Sequence, residues 1–184
     1  MTLGIIIVNY KTAELTLNCL RTLSLEQGTE TFTVMVVDND SQDGSFELLA
    51  AAVKKEGWST WVKVIASGCN GGFAYGNNIA IREFMATDIK PDYFYLFNPD
   101  AYVTKGAVHT LTDFMDENPR VGIVGSKIIG EDGIAQQSAF DFHTWLTELN
   151  RGFSLCVLSR LLSRWLPPIK ILDKPLKTDW VSGA

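Results

Sequence analysis

Residues 3–10 read LGIIIVNY. Leu3 to Val8 is a short, continuous apolar run rich in isoleucine. Such a run marks a strand buried on both faces, as in a parallel sheet. It stops on Asn9 and Tyr10, so the strand carries polar groups to its carboxyl end.

Outward from this strand the same alternation repeats. A helix is predicted from about Ala13 to Leu25, with Leu15, Cys19, Leu20 and Leu23 on one side. Phe32 to Val37 is a second buried strand, stopped by Asp38-Asn39-Asp40, and a helix from about Ser45 to Lys55 follows. Trp61 to Ala66 is a third strand. The glycine-rich loop Gly68-Cys-Asn-Gly-Gly-Phe73 comes next, then a helix to about Met85. Tyr93 to Phe97 is a fourth strand, stopped by Asn98-Pro99-Asp100. Thr104 is placed to cap a helix that Asn118-Pro119 ends, and Val121 to Ile129 reads as another strand. Strands alternating with helices mean βαβ units. The expected fold is therefore α/β, an open, mostly parallel sheet with right-handed crossovers, flanked by helices. With no linker, repeat or low-complexity segment, residues 1–184 read as one domain.

Ligands of such sheets bind beyond the carboxyl ends of the strands. Four ends here carry polar or glycine residues to one edge: Asn9-Tyr10, Asp38-Asn39-Asp40, Asn70-Gly71-Gly72 and Asn98-Pro99-Asp100. Each has an ordinary explanation when taken singly. Asp-Asn-Asp, Gly-Gly and Asn-Pro-Asp are turn chemistry. Tyr10 is then a strand-end aromatic packed on the next helix, and Asn77 and Asn78 are surface residues. Four such sites at matching strand ends are hard to explain as turns alone.

The totals narrow the function. The chain has 184 residues, 46% hydrophobic and 20% charged, the profile of a soluble globular protein with a core. A net charge of -5 argues against nucleic acid as the main partner. Cys19, Cys69 and Cys156 make neither a metal spacing nor a disulfide framework, and each reads as a small core residue in a reducing compartment. His109 and His143 are too isolated for zinc. The start of the chain lacks the pattern of a signal peptide, and no segment is long and apolar enough to span a bilayer, so the expected location is cytoplasmic.

After about Gly130 the pattern changes. Asp141 to Trp165 reads as largely helical, and 153–167 is amphipathic and basic. Two readings stand: a helix packed on the sheet or on a further part of the protein, or peripheral contact with the inner face of a membrane. In the second, Arg160 and Arg164 lie near lipid headgroups and Trp165 at the interface.

The edge excludes several chemistries. The turn after the first strand has no Gly-x-Gly-x-x-Gly for a dinucleotide, and there is no Walker loop and no Gly-x-Ser-x-Gly elbow. What remains is a carboxylate at two strand ends, Asp38 and Asp100. Such a carboxylate can accept hydrogen bonds from a base or hold a divalent cation. Asp100 suits magnesium or manganese, with Asn98 assisting through its carbonyl or a water. Gly71 and Gly72 let the backbone approach a ligand closely.

Together these segments resemble glycosyltransferase family 2, in particular its bacterial rhamnosyltransferase-like members. The resemblance rests on Val8-Asn-Tyr10, Val37-Asp-Asn-Asp-Ser-Gln-Asp-Gly-Ser45, Asn70-Gly-Gly-Phe-Ala-Tyr-Gly-Asn-Asn78, Asn98-Pro-Asp100 and Asp179-Trp-Val-Ser-Gly-Ala184, in that order along nearly the whole chain. It implies the GT-A type nucleotide-diphospho-sugar transferase fold. It also implies inverting transfer from a nucleotide diphosphate sugar donor, with dTDP-rhamnose as one donor, to a glycan or lipid-linked acceptor in cell-surface polysaccharide synthesis. By the same resemblance Tyr10 lies by the base, Asp38 bonds the pyrimidine and Asp40 assists at the ribose. Asn70, Gly71, Gly72 and Asn77 line the nucleotide pocket, and Asp100 binds the metal. Trp180, Gly183 and Ala184 border the sugar and acceptor. Two departures stand out. The usual Asp-x-Asp is Asn-Pro-Asp here, one negative charge fewer, and the acidic motif that supplies the base is expected beyond Ala184. On that expectation the chain is an N-terminal fragment of low activity, or a non-catalytic nucleotide-sugar-binding module.

Overall fold

The computed structural model describes residues 2–28, 31–130, 132–140, 142 and 174–182. They fall into two compact units, Met1–Gly122 and Ile123–Gly183.

The first unit is built on four parallel strands in the order β3-β2-β1-β4. They are β1 (Leu3–Asn9), β2 (Phe32–Asp38), β3 (Val62–Ala66) and β4 (Tyr93–Phe97). Every residue of β1 is buried. Period two explains the unbroken apolar run, because successive side chains serve opposite faces. Ile5 and Ile7 join Val34 and Val36 against α1 (Ala13–Ser24), α2 (Ser45–Lys55) and Val108 of α4 (Ala107–Glu117). Ile6 joins Met35 and Val37 against Ala80 and Phe84 of α3 (Phe73–Met85). Each such side chain contributes about 1.5–3 kcal/mol when fully buried. Gly76 lets α3 sit close to β1, since a Cβ there would lie 2.8 Å from Val8 Cγ1.

In α1 it is Leu17, not Leu15, that shares the buried side with Cys19, Leu20 and Leu23; Leu15 is exposed. Thr104 does not cap α4. The cap is Gly106, in the left-handed region at φ 77°, whose N–H donates to the buried Glu26 carboxylate at 2.9 Å. That tertiary bond, with Val103 N–H on Thr22 Oγ1 at 3.1 Å, sets where the helix begins.

The second unit contains two short antiparallel pairs, β5 (Ile128–Ile129) with β6 (Ala135–Gln136) and β7 (Ala139–Phe140) with β8 (Trp180–Val181). The strand expected from Val121 to Ile129 shrinks to its last two residues. Val121 N–H closes a turn on the Asn118 carbonyl, and 122–127 pair with no strand among the described residues. The helix expected from Asp141 to Trp165, with Arg160, Arg164 and Trp165, lies outside the described residues, Phe142 apart. Among the described residues no helix is long and apolar enough to cross a membrane.

Candidate functional site

Strand register places Asn9, Asp38 and Ala66 in one row at the carboxyl edge of the sheet. Asn9 is fully buried. Its Nδ2 donates to Asp38 Oδ1 at 2.7 Å and to Ser41 Oγ at 3.3 Å, while its Oδ1 accepts the hydroxyls of Thr12 at 3.2 Å and Thr16 at 3.0 Å. Asp38, 4% exposed, also accepts the Ser41 hydroxyl on Oδ1 at 2.6 Å and the Ser41 N–H on Oδ2 at 3.1 Å. Ser41 Oγ in turn accepts the Lys11 N–H at 2.9 Å. Burying a carboxylate is costly unless such bonds replace its water. Here they do, and Oδ2 keeps acceptor capacity.

The next residue joins β2 to the glycine loop. Asn39 Nδ2 donates to Asn70 Oδ1 at 2.8 Å and to the Gly72 carbonyl at 3.3 Å, and Asn70 Oδ1 also accepts the Gly72 N–H at 3.1 Å. Gly72 has φ 84° and ψ 179°, a conformation essentially confined to glycine. Gly71 meets the Tyr75 side chain where a Cβ would sit. Asn77 is buried in α3 with Nδ2 on the Phe73 carbonyl at 2.9 Å. The Oδ1 atoms of Asn39 and Asn77 are buried without a hydrogen-bond partner, each at a cost of about 1–3 kcal/mol.

Two clefts flank the start of α2. One, about 360 Å³, is lined by Asp38, Asp40, Gln42, Phe46, Ala66 and Gly68 among others. The other, about 350 Å³, includes Lys11, Leu15, Asp43 and Leu48. Three non-glycine residues hold left-handed backbone in these two turns: Lys11 at φ 57°, Asp40 at φ 59° and Gln42 at φ 55°. Gln42 Nε2 donates to Asp40 Oδ2 at 3.0 Å. Tyr10 is 43% exposed, with Lys11 Nζ 5.3 Å from its ring centroid. Asp43 accepts both the N–H and the hydroxyl of Ser45, and the hydroxyl chiefly holds its carboxyl below the ordinary value.

Asn98 and Asp100 line neither cleft. The Asn98 carbonyl accepts the Ala101 N–H at 3.2 Å in the turn after β4. The Asp100 carboxylate is exposed and makes no hydrogen bond or ion pair among the described residues. Also among them, no three His, Cys, Asp or Glu side chains gather into a metal cluster. One free carboxylate does not make a closed protein cage. It does fit a magnesium or manganese ion whose remaining ligands are waters and substrate phosphates.

Of the cysteines, Cys19 is buried, as expected, and burial first, then the Asp100 charge, pushes its thiol pKa up. Cys69 is not a core residue. It is exposed in the glycine loop and pairs with the Tyr75 hydroxyl, whose pKa it raises. Cys156 and His143 lie outside the described residues.

Trp180 belongs to the second unit, where its ring stacks on Phe140 with centroids 4.2 Å apart. Gly183 and Ala184 lie outside the described residues. The structure thus links Asp38 and Asn39 at the end of β2 to Asn9 of β1 and to Asn70 and Gly72 of the loop before α3; Asp38 and Asp40 line a cleft, whereas Tyr10, Asn70, Gly71, Gly72 and Asn77 line neither. Thr12, Thr16 and Ser41 complete the Asn9–Asp38 network, and no sequence motif assigns them that role. The available signal was Asn9, an amide closing an otherwise apolar strand, with Thr12 and Thr16 one turn apart on the helix that follows.

A family model described as glycosyl transferase family 2 matches residues 4–162. No curated protein matches the chain. Among solved structures the chain is similar to a crystal structure of S. aureus TarS 1-349, at 20% identity and TM-score 0.52, covering 77% of this chain and 42% of that one. A crystal structure of S. aureus TarS 1-349 in complex with UDP matches at 24% identity and TM-score 0.52, over 65% of this chain and 33% of that one. The chain therefore spans less than half the length of either structure. At this identity the likeness shows the shared fold, a central parallel sheet flanked by helices.

Proposed function

The chain belongs to glycosyl transferase family 2, and from that premise we propose that its sheet edge binds a nucleoside diphosphate sugar for inverting transfer to a glycan or lipid-linked acceptor. The observation that carries this reading is the Asn9–Asp38–Ser41 network, which holds a buried carboxylate in the wall of a cleft at the strand ends. Asp38 Oδ2 offers an acceptor to a base N–H. Tyr10 lies against the base, Asp40 takes the ribose, and Asn70, Gly71, Gly72 and Asn77 line the pocket. Asp100, with Asn98, would hold magnesium or manganese, and an ion bound there would supply Lewis-acid stabilisation of the leaving diphosphate. Trp180, Gly183 and Ala184 border the sugar and acceptor.

In the reaction an acceptor hydroxyl attacks the anomeric carbon from the face opposite the diphosphate. The bond to the diphosphate breaks, and a general base takes the hydroxyl proton. No described residue is assigned as that base. The finer proposal is rhamnose carried on dTDP, added to a cell-surface polysaccharide at the cytoplasmic face of the membrane. The sequence resemblance alone supports it, as it supports residues 1–184 acting as one nucleotide-sugar domain.

Calorimetric titration with UDP and dTDP, with and without manganese, tests the reading. UDP is included because one TarS structure holds it. Binding that needs manganese and is lost in Asp100→Ala is the expected result. Indifference to both manganese and the substitution reduces Asn98-Pro99-Asp100 to a turn. Binding without sugar transfer to any acceptor favours the non-catalytic module.

A further inference from the structure

Asn39 has no role in the reading above, yet one residue there ties three parts of the edge together. It is 2% exposed. Its backbone N–H donates to the Asn9 carbonyl at 2.8 Å, and its amide group reaches Asn70 Oδ1 and the Gly72 carbonyl. The amide has one usable orientation, because turning it over would set its oxygen against those two acceptors. Its own Oδ1 is left buried and unpartnered by that choice. Gly72 sits in a conformation open essentially to glycine alone, and glycine is free to leave it, so the hydrogen bonds on either side of Gly72 decide the shape of the loop. Asn39 holds its carbonyl directly, and holds its N–H through Asn70 Oδ1.

We propose that Asn39 is a positioning residue: acting through Asn70 and Gly72, it keeps the glycine loop in the one shape that lines the nucleotide pocket. The ligand role rests on the transferase reading; the clamp itself does not. A loop released from the clamp is competent only part of the time, and apparent affinity falls by that fraction.

Asn39→Asp keeps the size and replaces the donor group with acceptor oxygens. At pH 8 it is expected to weaken UDP binding in the presence of manganese by about tenfold. Part of the loss returns, relative to wild type, as the pH is lowered, because a neutral acid can donate to Asn70 Oδ1 again. Hydrogen exchange at the Gly71 and Gly72 amides quickens while exchange in β1 is unchanged. Asn39→Ser, too short to bridge both acceptors, shows the fast loop without the pH-dependent recovery. Unchanged loop exchange in both folded variants overturns the proposal, as does faster exchange spread evenly through β1 and β2. If wild type binds neither UDP nor dTDP, the transferase reading falls, and exchange at Gly71 and Gly72 alone decides the clamp.

Discussion

Asp38 and Asp100 both follow aromatic or aliphatic runs that form parallel strands of one sheet. Asp38 is buried, with Asn9, the Ser41 hydroxyl and the Ser41 N–H on its oxygens. Asp100 stands in solvent with no bond to its carboxylate among the described residues. Asp43 lies between these extremes, exposed but held by Ser45. A carboxylate at a strand end is therefore not one kind of object. Where neighbours meet its charge it is part of the scaffold and offers a ligand a fixed acceptor. Where none do, its charge remains for something from outside.

The sharpest way to break this contrast is Asp38→Ala. It strands the Asn9 amide and the Ser41 N–H in the interior, and chemical denaturation is expected to show a loss of about 3 kcal/mol. A loss near zero would place Asp38 with Asp100. A smaller effect is expected at Asp43. Its folded pKa lies below the ordinary value, so it stabilises the fold above the unfolded carboxylate range and loses that contribution as pH falls through the folded value. Ser45→Ala removes the main cause. Its stability should fall short of wild type near neutral pH and converge with it in acid, as followed by thermal unfolding across a pH series. The smallest effect belongs to Asp100→Ala, expected to change stability by less than about 0.5 kcal/mol. A loss comparable to that of Asp38→Ala would show that Asp100 is scaffold after all.

Local pattern made much of the first unit legible. β4 and α2 lie where the sequence places them, and β1, β2 and β3 differ by a residue at one end. Their boundaries follow from apolar runs and turn residues, which are properties of neighbours in sequence. The misreadings have the opposite character. Gly106 displaces Thr104 because Glu26 is waiting for its N–H. Cys69 is exposed, in a loop bounded by Gly68 and Gly72, both at positive φ. The Asn9–Asp38–Ser41 network joins side chains far apart in sequence, and nothing in the Asp-Asn-Asp triplet says which of its members turns inward. In the structure Asp38 and Asn39 do, while Asp40 takes a left-handed backbone at the rim.

The strand order has a consequence for synthesis. Leu3 pairs with Phe32 on one side and Tyr93 on the other. The ribosome therefore makes β1 early, yet its second edge is covered only after β4 has emerged. Until then an isoleucine-rich strand offers an open row of hydrogen-bonding groups to any other nascent chain. The same centrality that buries β1 completely in the finished fold leaves it exposed for longest on one edge during translation.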